Sequence, residues 1–78
     1  MIIDYARMQR VWPKQKGALT RALKITDKDE RRAKVRQVCA AAVKEWDEIG
    51  AWPDDWARFQ RALDDQLHWT ESIRLEDL

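Results

Sequence analysis

The sequence predicts an all-α fold: a small bundle of three to four helices built on an antiparallel helical hairpin over about residues 28–49 and 53–68. Three observations carry that expectation. The 78 residues include only two Gly and two Pro, too little turn chemistry for a chain of short strands. Val35, Cys39, Ala42, Trp46 and Ile49 recur at steps of four, three, four and three, the spacing of a seam that packs against a neighbouring helix at a shallow angle. Gly50 and Pro53 are separated only by Ala51-Trp52, so one helix ends and the next starts across a link short enough to make them antiparallel neighbours.

In chain order, Asp4 caps a short first helix to about Val11, with Tyr5, Met8 and Trp12 on one side. Pro13 fits the first turn of a helix better than its middle, which predicts a break near Trp12 and a second, basic helix from Pro13 to about Ile25. That helix buries Leu19, Ala22 and Leu23 and turns Lys14, Arg21 and Lys24 outward. The third helix starts in either of two registers, with Thr26 as cap and Asp29 three residues on, or with Asp27 as cap and Glu30 three residues on; Gly50 ends it. The fourth opens on Pro53, with Asp54 and Asp55 in its first turn, and carries Trp56, Phe59, Leu63 and Leu67 as its apolar stripe. Paired outward from Gly50, Trp46 faces Trp56, Ala42 the Phe59 region, Cys39 Leu63 and Val35 Leu67. The whole chain, 1–78, reads as one domain, with 69–78 either packed across the bundle or serving as a docking tail.

Composition limits what such a domain does. The single Cys39 excludes an internal disulfide, so stability rests on packing or self-association, and five tryptophans with Tyr5 and Phe59 supply large side chains for a small core. No apolar run approaches a membrane span and the first residues lack a leader's pattern, so the chain reads as cytoplasmic with no membrane partner. The net charge of +1 conceals an asymmetry: residues 1–36 hold eleven Lys/Arg against four Asp/Glu, and residues 37–78 hold four against ten, giving halves of +7 and −6.

No catalytic constellation is evident. Cys39 lies on the apolar seam, where a thiol behaves as a small hydrophobe, and no Ser/His/Asp or Cys/His arrangement or phosphate-cradling loop accompanies it or Ser72. The carboxylate pairs Asp54-Asp55 and Asp64-Asp65 stand at exposed helix positions without the burial that acid/base work requires. Asp64, His68 and Glu71 share a helix face but offer mostly hard oxygens, so no metal is assigned. No cofactor and no small-molecule substrate are expected.

The expected function is therefore that of a non-enzymatic protein-protein interaction module, an adaptor, inhibitor or assembly factor. Its partner is another protein or a second copy of itself, and the contact face is formed by Trp52, Asp54, Asp55 and Trp56. The bland alternative is that Trp52 and Trp56 act as a local clamp on the helix turn. The alternative is nucleic-acid binding through phosphate contacts by Lys14, Arg21, Lys24, Arg31, Arg32 and Arg36, unless Arg31 and Arg32 pair internally with Asp64, Asp65 and Glu71. The size is in keeping with small accessory proteins of phages, plasmids or operons, a compositional similarity that identifies nothing.

Overall fold

The longest helix is fixed at both ends by its own sequence. Asp27 accepts a hydrogen bond from the Glu30 backbone N–H (2.9 Å), which selects the second of the two registers, and Gly50 closes the helix in the left-handed conformation (φ 93°) that a side chain would strain. In the computed structural model, which describes residues 2–67 and 73–78, this helix is the second of three: α1 (Tyr5–Leu23), α2 (Lys28–Ile49) and α3 (Ala57–Leu67), followed by a 3₁₀ turn, Leu75–Asp77. The fold is a small all-α bundle. No described helix is long and apolar enough to cross a membrane.

The expected break near Trp12 does not occur: α1 runs unbroken through Pro13. Proline lacks the N–H that would bond the Gln9 carbonyl, but Pro13 and Gln9 are both exposed, so solvent can satisfy that oxygen. Continuity has a tertiary cause. Met8, Trp12, Gln15, Leu19 and Ala22 follow the same four-three-four-three spacing as the α2 seam, and a break would have split that stripe. α1 and α2 run in opposite directions. The Asp4 N–H donates to the Ile49 carbonyl (3.1 Å), Arg7 bridges Glu45 and Glu48 (3.0 and 2.7 Å), and the Trp46 indole N–H donates to Gln15 Oε1 (2.9 Å). The two carboxylates hold the Arg7 guanidinium above its ordinary pKa, chiefly through its hydrogen bond to Glu48 and then that to Glu45.

A second correction concerns the start of α3. Pro53 is not its first residue, and Asp54 and Asp55 are not in its first turn; the helix begins at Ala57. Residues 54–56 form turns instead, with Trp56 N–H donating to the Pro53 carbonyl (3.1 Å) and Arg58 N–H to the Asp55 carbonyl (3.1 Å). The reason is packing: Trp52 lies on Trp46 (ring centroids 5.2 Å apart) with Pro53 buried beside it, and an immediate helix would pull that ring off the core. Trp46 is thus covered by Trp52, and not by Trp56 as the pairing from Gly50 predicts.

The core contains Leu19, Val35, Cys39, Ala42, Val43, Trp46, Phe59 and Leu63, with Leu75 joining from the C-terminal segment. Gln60 fastens that segment: its Nε2 donates to the Ile73 carbonyl and its Oε1 accepts from the Leu75 N–H, both at 2.9 Å. Of the tail, residues 73–78 are therefore packed on the bundle. The expectations that rest on the Leu67 side chain, His68, Glu71, Ser72 and residues 69–72 of the tail lie outside the described residues.

Cys39 is fully buried, its thiol 3.8 Å from the Phe59 carbonyl, and burial pushes its pKa from 9.0 up to about 12. Below pH 9 both folded and unfolded chains keep the thiol proton and its burial favours the fold fully. Between pH 9 and about 12 only the unfolded thiol ionises, so stability falls as pH rises. Urea midpoints across that window should accordingly drop faster for the native chain than for Cys39→Ala; parallel curves would refute the linkage.

Candidate functional site

Two surfaces stand out, one aromatic and one basic. The aromatic surface is the end of the bundle where α1 begins, α2 stops and the 50–56 turn crosses. Its rings form a graded series from core to solvent. Trp46 has no exposure and contacts Trp12 (6.2 Å), Phe59 (5.5 Å) and Trp52 (5.2 Å). Half-buried Trp52 in turn meets Trp56 edge to face at 5.3 Å and 80°, and Trp56 is 39% exposed.

The structure brings Trp52, Asp54, Asp55 and Trp56 together as expected, but in a different posture, because Trp52 is anchored in the core while Trp56 carries the exposed ring. A groove lies on each side of Trp52. One, of about 380 Å³, runs between Trp56, Gln60, Asp64, Arg74 and Leu75; the other, of about 310 Å³, is lined by Ile3, Tyr5, Pro53, Asp54 and Asp55. Asp55 pairs with Arg58 (3.1 Å), whereas Asp54 has no cationic partner among the described residues.

Sequence reading missed that the N-terminal residues belong to this end. Among the described residues four large apolar side chains are exposed: Tyr5 (67%) lines the second groove, Trp56 lines the first, and Ile2 (94%) precedes Tyr5 in the N-terminal segment whose Asp4 N–H reaches the Ile49 carbonyl. Leu23, the fourth, lies at the far end of α1. The signal that would have found them is the unbroken Met8-to-Ala22 stripe, which sets the start of α1 against the end of α2 and hence against the turn.

The basic candidates divide. Lys14, Arg21 and Lys24 are exposed on the outer face of α1. Arg31 and Arg32 are half-buried and tied inward: Arg31 donates to Gln66 Oε1 (2.9 Å) and the Ile25 carbonyl (3.0 Å), and Arg32 donates to the Gln66 carbonyl (3.0 Å). They brace the α2–α3 contact and are not offered to a ligand. Arg36 is exposed and has an interaction of its own. Among the described residues no group of three His, Cys, Asp or Glu side chains is arranged to hold a metal ion.

Comparison with protein-family models, with curated proteins and with solved structures returns no match to this chain.

Proposed function

We propose that this chain is a non-enzymatic interaction module whose contact face is the aromatic end and whose occupant is a basic, amphipathic segment of a partner protein. The observation that supports this most is that two of the four large apolar side chains exposed among the described residues, Tyr5 and Trp56, line the two grooves that share Trp52, one of which is rimmed by Asp54 and Asp55. Apolar rings left in water favour a cover, and an unpaired carboxylate beside them favours a cover that is positively charged. Trp56, held by Trp52, which is itself held by Trp46, is a ring already fixed in place before binding, so little rotamer freedom is lost when a partner docks. The reading as a non-enzyme is supported by Cys39, whose thiol is buried and held protonated.

The test is calorimetric titration of the full chain with a synthetic Leu/Lys amphipathic helical peptide and with its Leu/Glu counterpart. The lysine peptide should bind and the glutamate peptide should not. Trp56→Ala should weaken binding at least tenfold, as expected of an aromatic anchor, and Asp54→Lys with Asp55→Lys should abolish it, both with unchanged circular dichroism. Equal binding of the two peptides, or indifference to Trp56→Ala, overturns the proposal. A concentration-dependent dimer that dissociates on Trp56→Ala also overturns it, by giving the face to a second copy.

A further inference from the structure

The outer face of α1 has a charge arrangement that nothing within the bundle explains. Between Tyr5 and Leu23 the helix carries five cations and no carboxylate, and Lys24 follows as its C-cap. Two of the five are engaged: Arg7 by Glu45 and Glu48, and Lys16 with its ammonium 5.4 Å from the Trp12 ring centre. The other three, Arg10, Lys14 and Arg21, together with Lys24, fall within a stripe about 80° wide and about 21 Å long, on the side of the helix opposite Met8, Trp12, Leu19 and Ala22. All four are exposed, and none is paired with a carboxylate among the described residues.

Local physics accounts for only part of this. Arg21 and Lys24 suit the negative end of the helix dipole, but Arg10 and Lys14 stand well before it. Like charges at the 10/14 and 21/24 spacings repel, each pair costing the helix a few tenths of a kcal/mol (~0.2–0.5) with no return inside the fold. The Arg21 guanidinium also lies back along the helix, 3.4 Å from where a Cβ on Gly17 would sit, which draws it toward Lys14. A row of uncompensated cations of this length matches a polyanion with regularly spaced charges.

We infer that Arg10, Lys14, Arg21 and Lys24 form a docking strip for the phosphate backbone of duplex nucleic acid, separate from the aromatic end. An anionic membrane fits less well, because a helix lying on lipid inserts an apolar face, and that face of α1 is spent on α2. Duplex DNA presents one phosphate per ~1.7 Å of axis, so the strip can engage four phosphates at once without reading bases. Compared with the sequence expectation, Arg10 enters the set while Arg31 and Arg32 leave it.

The test is fluorescence-anisotropy binding of a random-sequence duplex oligonucleotide across a salt series. Four contacts predict a slope of log affinity against log salt of about −3.6, and Arg21→Glu with Lys24→Glu should reduce its magnitude by about 1.8. Replacing all four by Gln, a gentler change at exposed sites, should abolish binding at near-physiological salt with circular dichroism unchanged. Lys44→Glu with Arg61→Glu, an equal change of net charge at exposed positions off the strip, should leave the slope as it was. Absence of duplex binding at low salt, equal loss in the off-strip control, or binding to phosphatidylserine vesicles in preference to duplex would each overturn the assignment.

Discussion

Trp46→Ala is expected to remove ~5 kcal/mol of stability, a large share of what a chain of this size has. Domains of 78 residues have total stabilities of about 4–12 kcal/mol, and emptying a fully buried tryptophan site costs ~3–5 kcal/mol. Here the loss falls at the upper end, because the ring is the common neighbour of Trp12, Trp52 and Phe59, and its N–H is what satisfies Gln15 Oε1 at the middle of the α1 stripe. Trp46→Phe separates the two contributions. It keeps most of the ring contact and leaves the Gln15 amide without its partner, a loss of ~1–3 kcal/mol that the fold should survive. Urea unfolding followed by far-ultraviolet dichroism measures both. Cooperative unfolding of Trp46→Ala within about 1 kcal/mol of the native chain would contradict a core centred on this ring.

Pro13→Ala is expected to act in the other direction and raise stability by ~2 kcal/mol. A proline inside a helix is about 3 kcal/mol less favourable than alanine, and the alanine N–H would restore the missing bond to the Gln9 carbonyl. Against this, the unfolded chain regains freedom worth about 0.4–1 kcal/mol. Pro13 is exposed, so the smaller side chain removes no buried contact. The readout is the urea midpoint, with helicity at 25 °C as a companion measurement. An unchanged or lower midpoint would mean that α1 has already relaxed around the ring without penalty.

These two substitutions mark where the fold was legible in the sequence and where it was not. α2 could be read to within one residue at its start and to the residue at its end because each end carries a local signal, the Thr26/Asp27 cap choice and the conformational freedom of Gly50. α1 could not, because a single residue's backbone preference argued for a break while the stripe from Met8 to Ala22 argued for continuity, and the packing energy of the stripe prevails. The late start of α3 has the same origin: Pro53 is compatible with a first helical turn, but seating Trp52 on Trp46 takes precedence. Of the aromatic end, the contiguous part, Trp52 to Trp56, was visible in the sequence; Ile3 and Tyr5 were not, since only the docking of α1 on α2 brings them there. The expectation of internal pairing did place Arg31 and Arg32 against the helix that carries Asp64 and Asp65, at the α2–α3 contact. Gln66 and the Ile25 carbonyl as acceptors were not foreseen, because charge pattern draws attention to carboxylates whereas geometry is satisfied by any oxygen within reach.

The graded series of rings has an optical consequence. Trp12, Trp46, Trp52 and Trp56 stand in successive contact at 6.2, 5.2 and 5.3 Å, close enough for light absorbed by one indole to migrate along the whole row. Excitation collects on the ring whose excited state the surrounding water lowers most, and that ring is Trp56. The emission of the row is thus an antenna signal read out at its wettest end, so its colour tracks what covers the 50–56 turn while Trp46, fully buried, stays shielded.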